Sequence, residues 1–234
     1  MEIKNNTQVG EIVRHNFKTA QLFEKNNIDF CCGGNITIEE ACKKSNVKFE
    51  ELVPELENVM LISDSNSKYI ESLKLDELCD YIENRHHGYI NETTPFLQQK
   101  LKKLCDVHGG NHTELFEIEK LFGQAVENLT LHMKNEELIL FPAVRKLVRS
   151  DNSGEFKYND KSERKELIDN LHQEHTVEGE RFETISKLSD NYTVPGDACN
   201  TYRITFQTLK EFQEDLHIHI HTENNILFKK FLDY

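Results

Sequence analysis

A ten-residue pattern, H-x-x-x-E-x-x-I-L-F, occurs twice in the sequence. It reads H-M-K-N-E-E-L-I-L-F over residues 132–141 and H-I-H-T-E-N-N-I-L-F over residues 219–228. Residues four apart on a helix lie on one face, one turn from each other, so the histidine and glutamate of each copy can reach a common point beside the helix. An ordinary amphipathic helix with a solvated His–Glu pair would explain one copy. Two aligned copies favour a metal site.

Hydrophobic periodicity predicts four long helices, and each carries one histidine within an otherwise apolar stripe. The helices are predicted over about residues 75–106, 111–149, 162–189 and 197–232, with a polar break at 151–154. The four histidines follow one another at intervals of 45, 43 and 44 residues: His87, His132, His175 and His219. Antiparallel helices joined by short loops bring positions with such spacing to one level, so the sequence predicts an all-α, up-down four-helix bundle.

Four histidines at one depth of a bundle core are costly unless something binds them. A buried polar group without a partner costs about 1–3 kcal/mol, and a bound metal removes that cost. Imidazole and carboxylate ligands without thiolate suit iron, manganese or zinc. With Glu136 and Glu223 the set is too large for one tetrahedral zinc, whereas two six-coordinate ions bridged by both glutamates would use it fully. Two irons would bind O2 or NO at open positions, and zinc is the redox-silent alternative.

The first 62 residues are predicted to form a small helical domain. Thr37 and Glu40 make a capping box at the start of one of its helices. A cluster of Ser, Asp and Asn at Ser63–Ser67 lacks apolar periodicity, which predicts a linker over residues 63–74 and the bundle over residues 75–234.

This N-terminal domain carries two adjacent cysteines, Cys31 and Cys32, followed by two glycines. They come just before the capped helix, whose N-terminus is expected to lower a thiol pKa and favour thiolate. Such thiolates could bind iron, attack a disulfide or take up NO. The alternative is that one cysteine is a small core residue and the other has no role.

Composition excludes several classes of partner. The formal net charge is −13 and no dense Lys/Arg stripe occurs, which argues against nucleic acid and anionic membrane surfaces. No apolar run is long enough for a membrane span or a signal peptide, so we expect a cytoplasmic location. The six cysteines lack C-x-x-C spacing, which argues against a disulfide framework and a zinc ribbon.

Taken together, these motifs resemble the iron–sulfur cluster repair di-iron proteins, also called the repair-of-iron-centres family. Members combine a short N-terminal domain bearing Cys-Cys-Gly-Gly with a hemerythrin-like bundle. The resemblance rests on four stretches: F-C-C-G-G at 30–34, His132 to Glu136 running into L-F-P at 140–142, E-H at 174–175, and His219 to Glu223 running into N-N at 224–225.

The resemblance implies a cytoplasmic homodimer that restores iron–sulfur clusters after nitrosative or oxidative damage, by supplying iron to the damaged proteins. It implies a non-haem di-iron centre with carboxylate and oxo bridges. Cys31 and Cys32 would be iron-transfer or redox thiols, and NO or O2 the small ligands. The implied metal ligands are His87, His132, Glu136, His175, His219 and Glu223.

Some assignments stay open at this stage. The stretch Arg85-His86-His87 departs from the aromatic-then-His form expected in the family, so His86 competes with His87 as a ligand. His108 lies on the continuation of the first helix's apolar stripe and is a further candidate. Two other functions fit the same motifs: an enzyme that reduces NO to N2O at paired irons, and a non-catalytic sensor of O2 or NO.

Overall fold

A computed structural model describes residues 1–149 and 160–234, so the predicted break at 151–154 lies outside the described residues. Within these two ranges the chain is almost entirely helical, and the β-type pairing consists of one isolated bridge between Gln8 and Thr37. None of the helices in these ranges is long and apolar enough to cross a membrane. The prediction of an all-α protein is confirmed.

The helices are α1 (Val9–His15), α2 (Ala20–Lys25), α3 (Ile38–Lys44), α4 (Phe49–Met60), α5 (Ser65–Ser72), α6 (Leu75–Ile82), α7 (Gly88–His108), α8 (Glu114–Asn135), α9 (Phe141–Arg149), α10 (Lys161–Leu188), α11 (Asn200–Thr222) and α12 (Phe228–Asp233).

The chain divides into two compact units. The first comprises Met1–Asp80, Val144–Ile168 and His217–Tyr234, and the second comprises Tyr81–Ala143 and Asp169–Leu216. The first unit therefore contains the N-terminal helices together with the last residues of the chain.

The second unit is a bundle of four helical segments, from α7, α8, α10 and α11. Its core contains three fully buried phenylalanines from three of these helices. The ring of Phe122 meets those of Phe182 and Phe212 edge-on, at centroid distances of 6.4 and 5.5 Å, and Phe182 stacks on Phe212 at 5.6 Å. Such aromatic pairs stabilise a core beyond the area that they bury.

In the first unit, short helices enclose an apolar core to which α12 contributes Phe228 and Phe231. The predicted capping box is confirmed: the Glu40 N–H donates to the Thr37 hydroxyl and the Thr37 N–H to the Glu40 carboxylate, both at 3.2 Å. Helix α5 lies within the segment predicted as a linker, and its first residues are capped by Asp64. The predicted domain boundaries stay a prediction.

Three π-helical turns interrupt the helices of the described residues: Glu83–His87 between α6 and α7, Glu136–Leu140 between α8 and α9, and Glu223–Leu227 between α11 and α12. In each, the N–H of the residue that follows donates to the carbonyl five positions earlier, for example Phe141 to Glu136. Such turns add a residue to the helical repeat and are frequent at functional sites. Two of them begin at the glutamate of the repeated motif.

Candidate metal centre

In the second unit, three histidines surround one glutamate. The Oε2 atom of Glu136 lies 3.3 Å from His87 Nε2 and 3.4 Å from His132 Nε2. The Nε2 atoms of His132 and His175 are 2.9 Å apart. Ligand atoms of His132, Glu136 and His175 all lie within 4.8 Å of one another, and these three side chains and that of His87 are buried. Predicted ligands from three helices thus meet in this unit.

Glu137 and Glu174 hydrogen-bond the imidazole rings of His87 and His132 on the side away from Glu136, and so orient these rings. Glu137 Oε1 lies 2.8 Å from His87 Nδ1, and Glu174 Oε2 lies 2.6 Å from His132 Nδ1. Ionised carboxylates only accept hydrogen bonds, so each Nδ1 carries the proton and each Nε2 presents its lone pair to Glu136. The hydrogen bond from His132 holds the pKa of Glu174 below its usual value, which keeps this carboxylate ionised. Carboxylate–histidine pairs of this kind are typical of metal ligands.

The buried carboxylate of Glu136 imposes an electrostatic requirement on the site. Two neutral rings that aim lone pairs at a carboxylate oxygen 3.3–3.4 Å away would repel it. Protonating both rings would place two more charges in a buried environment, which is costly. A divalent cation satisfies the imidazole lone pairs and the carboxylate together. The donor set therefore fits a bound metal of the iron, manganese or zinc type.

The second copy of the motif lies in the first unit. The Nε2 atom of His219, on α11, is 3.0 Å from Oε1 of Glu223, the first residue of the third π-helical turn. Both side chains are buried, with Glu223 fully so. The repeat therefore pairs His219 with Glu223 across one turn, as it pairs His132 with Glu136.

The structure distinguishes His86 from His87. His86 Nδ1 lies 3.0 Å from Oδ2 of Asp215, whose other oxygen binds Arg85 at 2.9 Å, whereas His87 faces Glu136 and stacks on Phe141. This placement supports His87 as the ligand. Another candidate, His108, contacts Cys199 instead, with Nε2 3.2 Å from the sulfur.

The loop that carries the two cysteines is built around Asp29. The backbone N–H groups of Cys31 and Cys32 donate to its Oδ1 at 3.0 and 2.9 Å, and that of Gly33 donates to Oδ2 at 2.8 Å. The thiol of Cys31 points to the same Oδ1 at 3.3 Å, and the two sulfurs are 3.8 Å apart. Asp29, Cys31 and Cys32 thus form a second group of side chains with metal-ligand spacing.

The expected low thiol pKa is wrong for Cys31. Its hydrogen bond with Cys32, its burial and the charge of Asp29 raise the pKa of the Cys31 thiol well above the usual value. Helix α3 begins only at Ile38, and Asp29 accepts the loop N–H groups that would otherwise favour a thiolate. A metal that binds Cys31 has to displace the thiol proton.

Sequence reasoning missed the anchor of this loop, which comes from the residues immediately after Glu223. The side-chain amides of Asn224 and Asn225 donate to the Cys31 carbonyl at 3.2 and 3.1 Å, and Asn225 also reaches the Phe30 carbonyl at 3.4 Å. The dipeptide N-N in the second motif copy was the available signal. All of these residues belong to the first unit, so the cysteine loop adjoins the helical turn that begins at Glu223.

Comparison with known proteins places these features in a family. The family model of the hemerythrin HHE cation-binding domain matches residues 80–231, and that of a domain of unknown function, DUF542, matches residues 5–60. The iron–sulfur cluster repair protein ScdA of Staphylococcus haemolyticus is 34% identical over 98% of this chain and 99% of its own. The chain belongs to the hemerythrin-like iron–sulfur cluster repair family.

Relatives in this family extend to other bacteria. The iron–sulfur cluster repair protein YtfE of Yersinia pseudotuberculosis is 31% identical over 92% of this chain and 91% of its own, and ScdA of Staphylococcus epidermidis is 27% identical over 95% and 96%. The family resemblance drawn from the sequence motifs is confirmed. A cation-binding family together with clusters of buried histidine and glutamate indicates that this chain binds metal.

Proposed function

We propose that this chain takes part in the repair of iron–sulfur clusters damaged by nitrosative or oxidative stress, by supplying iron from a non-haem di-iron centre. The observation that carries the proposal is the group of His87, His132 and His175 around the buried carboxylate of Glu136. The printed names of the relatives, iron–sulfur cluster repair proteins, support the same conclusion.

The proposed metal ligands are six side chains: His87, His132, Glu136, His175, His219 and Glu223. When bound, two irons would supply one-electron redox chemistry and an exchangeable store of iron. Their number is supported by the duplicated motif, which supplies two histidine–glutamate pairs whose glutamates are proposed to bridge the two ions. Three imidazoles and one carboxylate, four of the six proposed ligands, gather in the second unit alone.

The protein's own residues prepare the site before metal binds. Glu137 and Glu174 hold the Nδ1 protons of His87 and His132, so their Nε2 lone pairs are available without deprotonation. Burial of Glu136 excludes water from its carboxylate, which strengthens its attraction for a cation.

The cysteine loop is proposed to receive iron in transit to a damaged cluster. Asp29, Cys31 and Cys32 offer one carboxylate and two sulfurs within 4.8 Å of one another. Because Cys31 is buried and its pKa is raised, the Cys31 thiol is protonated at neutral pH and binds a cation only in exchange for its proton. That property suits transient rather than permanent binding.

The proposal further includes a cytoplasmic homodimer, damaged iron–sulfur proteins as clients, and NO and O2 as small ligands. Sedimentation of the purified protein would test the dimer. Measurement of metal content would test the cofactor: two irons per chain are expected, whereas one zinc per chain would overturn the di-iron assignment.

Cluster repair is tested by mixing iron-loaded protein with an enzyme whose iron–sulfur cluster has been damaged by NO or peroxide. Recovery of that enzyme's activity is expected to exceed recovery with an equal amount of free ferrous iron. Recovery equal to the free-iron control would contradict the proposal.

Two variants separate the parts of the mechanism. His175→Ala is expected to lower iron content and repair together. Cys31→Ser combined with Cys32→Ser is expected to keep the bound iron but to slow its delivery to the client. Unchanged repair by the double variant would remove the cysteine loop from the mechanism while leaving the metal centre in place.

A further inference from the structure

A cysteine–histidine pair lies in the second unit, apart from the proposed metal ligands. The sulfur of Cys199 is 3.2 Å from Nε2 of His108, the last residue of α7. Cys199 is exposed to solvent and immediately precedes α11, whose first backbone hydrogen bond runs from the Arg203 N–H to the Cys199 carbonyl. Cys199 is therefore the N-cap residue of a 23-residue helix.

Several groups favour a thiolate at this sulfur. Besides the contact with His108, the backbone N–H groups of Tyr202 and Thr201 lower the pKa of the Cys199 thiol, since they occupy the positions that a serine or aspartate cap would use. These donors and the positive end of the helix dipole stabilise a thiolate. The hydrogen bond from His108 is the largest cause of a drop in the pKa of Cys199 to about 7.

The histidine is held in place by its neighbours. Its ring meets the rings of Tyr202 and His112 edge-on, at centroid distances of 5.4 and 6.4 Å. Tyr202 is buried, with 1% of its surface exposed, so its ring restricts the movement of the His108 imidazole that packs against it. The orientation of His108 toward Cys199 is thus supported by packing as well as by the hydrogen bond.

Cys105 lies three residues before His108 on the same helix, and its thiol pKa is shifted in the opposite direction to that of Cys199. Its thiol donates to the Leu115 carbonyl at 3.4 Å, and burial raises its pKa. Cys31, Cys42 and Cys79 are buried. Cys199 therefore combines exposure with thiolate stabilisation, which makes it chemically distinct from these other cysteines.

The pair is remote from the proposed metal ligands of the same unit. Helix α7 has 21 residues and connects His87 to His108, so the two lie roughly 30 Å apart along the helix at about 1.5 Å per residue. Within the described residues, the groups with metal-ligand spacing do not include Cys199. Its chemistry can therefore be tested separately from that of the metal centre.

We propose that Cys199 is a nucleophilic thiolate, positioned by His108, that undergoes exchange with low-molecular-weight disulfides. The Cys199 sulfur attacks one sulfur of the small disulfide R–S–S–R. The S–S bond of that disulfide breaks, a mixed disulfide Cys199–S–S–R forms, and R–S⁻ leaves and takes a proton from water. The Cys199 sulfur is oxidised, the departing sulfur is reduced, and a small thiol reverses the reaction.

The test measures the rate at which the full-length protein reacts with the neutral aromatic disulfide dithiodipyridine as a function of pH. One fast-reacting thiol per chain is expected, with an apparent pKa of about 7. Mass spectrometry after treatment with oxidised glutathione is expected to locate the mixed disulfide at Cys199. The fast phase should be absent from Cys199→Ser, and its persistence in that variant would overturn the proposal.

His108→Asn tests the positioning role through the shape of the pH profile. Loss of the hydrogen bond should return the thiol toward its usual pKa of about 8.5, while the more basic thiolate becomes intrinsically more nucleophilic. The rate should therefore fall by up to about threefold near pH 7 and up to about sixfold near pH 5.5, yet exceed the wild-type rate above about pH 8. A uniform loss at every pH, as from a merely structural change, would contradict a positioning role.

His112→Asn is the matched control, because His112 belongs to the same ring cluster but hydrogen-bonds Asp197 and Glu114 instead. The disulfide-exchange rate of this variant is expected to stay within about twofold of the wild-type rate. The apparent pKa of Cys199 is expected to change by no more than about a few tenths of a unit. An effect as large as that of His108→Asn would show that disturbance of the cluster, rather than the Cys199–His108 contact, controls the thiol, and would overturn the assignment.

Discussion

The side-chain amide of Asn225 donates a hydrogen bond of 3.1 Å to the main-chain carbonyl of Cys31. Through this contact the residue two positions after Glu223 holds the backbone of the cysteine loop. Asn225 is buried, and its amide also lies 3.2 Å from Nδ1 of His221. A single side chain thus connects the second copy of the histidine–glutamate motif to the Cys-Cys-Gly-Gly sequence.

Replacing Asn225 with alanine is expected to loosen the cysteine loop. The carbonyls of Phe30 and Cys31 would lose a buried donor, at a cost of about 1–3 kcal/mol in the free energy of unfolding. Hydrogen exchange of the amides in residues 29–34 should accelerate accordingly. Asn91→Ala, at an exposed position of α7, is the control and should leave these amides unchanged. Equal exchange in both variants would show that Asn225 does not hold the loop.

Gly10→Ala should destabilise the first unit because of a close approach by the same asparagine. A Cβ atom at Gly10 would lie 2.5 Å from Oδ1 of Asn225 and 3.0 Å from the Gly34 carbonyl. Overpacking of this kind costs about 1–3 kcal/mol. At Gly123, inside α8, an added Cβ meets nothing within 4 Å, so Gly123→Ala should stabilise by up to about 1 kcal/mol. Thermal unfolding of both variants measures the difference, and the prediction fails if their shifts have the same sign.

Glu174→Gln is expected to weaken metal binding without removing a proposed ligand. The glutamate holds the Nδ1 proton of His132 at 2.6 Å, whereas glutamine accepts that hydrogen bond more weakly and can present an amide donor instead. Loss of such an outer partner costs about 10- to 100-fold in metal affinity. Competition with a chelator of known affinity measures the change. Glu180→Gln, on an exposed face of the same helix, should bind metal as the wild type does; a matching loss there would trace the effect to net charge.

The ion pair of His112 with Asp197 gives the protein a predicted pH dependence. Hydrogen bonding to Asp197 raises the pKa of His112 above 6.5, and the same bond lowers the pKa of Asp197 below 3.8. The histidine's contribution is complete below pH 6.5 and is lost as pH rises through its raised pKa. The aspartate's contribution is complete above pH 3.8 and is lost as pH falls through its lowered pKa.

The melting temperature of the wild type should therefore exceed that of His112→Gln most clearly between pH 3.8 and 6.5. Because both groups are exposed, the difference should be small and should shrink with added salt. The ring of His112 also meets that of Tyr202 edge-on, at a centroid distance of 5.7 Å. A difference that stayed constant from acid to alkaline pH would mean that His112 acts through this packing rather than through charge.

Several features were accessible from the sequence because they repeat or have a fixed period. The histidine–glutamate spacing of four residues follows from helical geometry, and the even intervals between the four histidines indicated antiparallel helices. The capping box of Thr37 and Glu40 is a local signal that depends on neighbouring residues alone. The Cys-Cys-Gly-Gly motif, read together with the bundle, was sufficient for the family.

Other features depended on contacts between residues distant in sequence. The pKa of Cys31 was predicted in the wrong direction, because burial and Asp29 outweigh a helix terminus that lies too far along the chain. The three π-helical turns were not predicted from the hydrophobic period, and each inserts a residue that shifts the buried face of its helix. After Glu136, for example, Leu140 is fully buried while Ile139 is 43% exposed.

The sequence by itself determined the all-α class, because that class follows from local spacing along helices, and its motifs were sufficient to indicate the family. Only the tertiary structure decided that His87 rather than His86 faces Glu136, that Asn225 holds the Cys31 loop, and that His108 contacts Cys199. Each of these is a side-chain contact across 49 or more residues of chain. No local propensity encodes such contacts, because they exist only when the packed helices bring the two partners together.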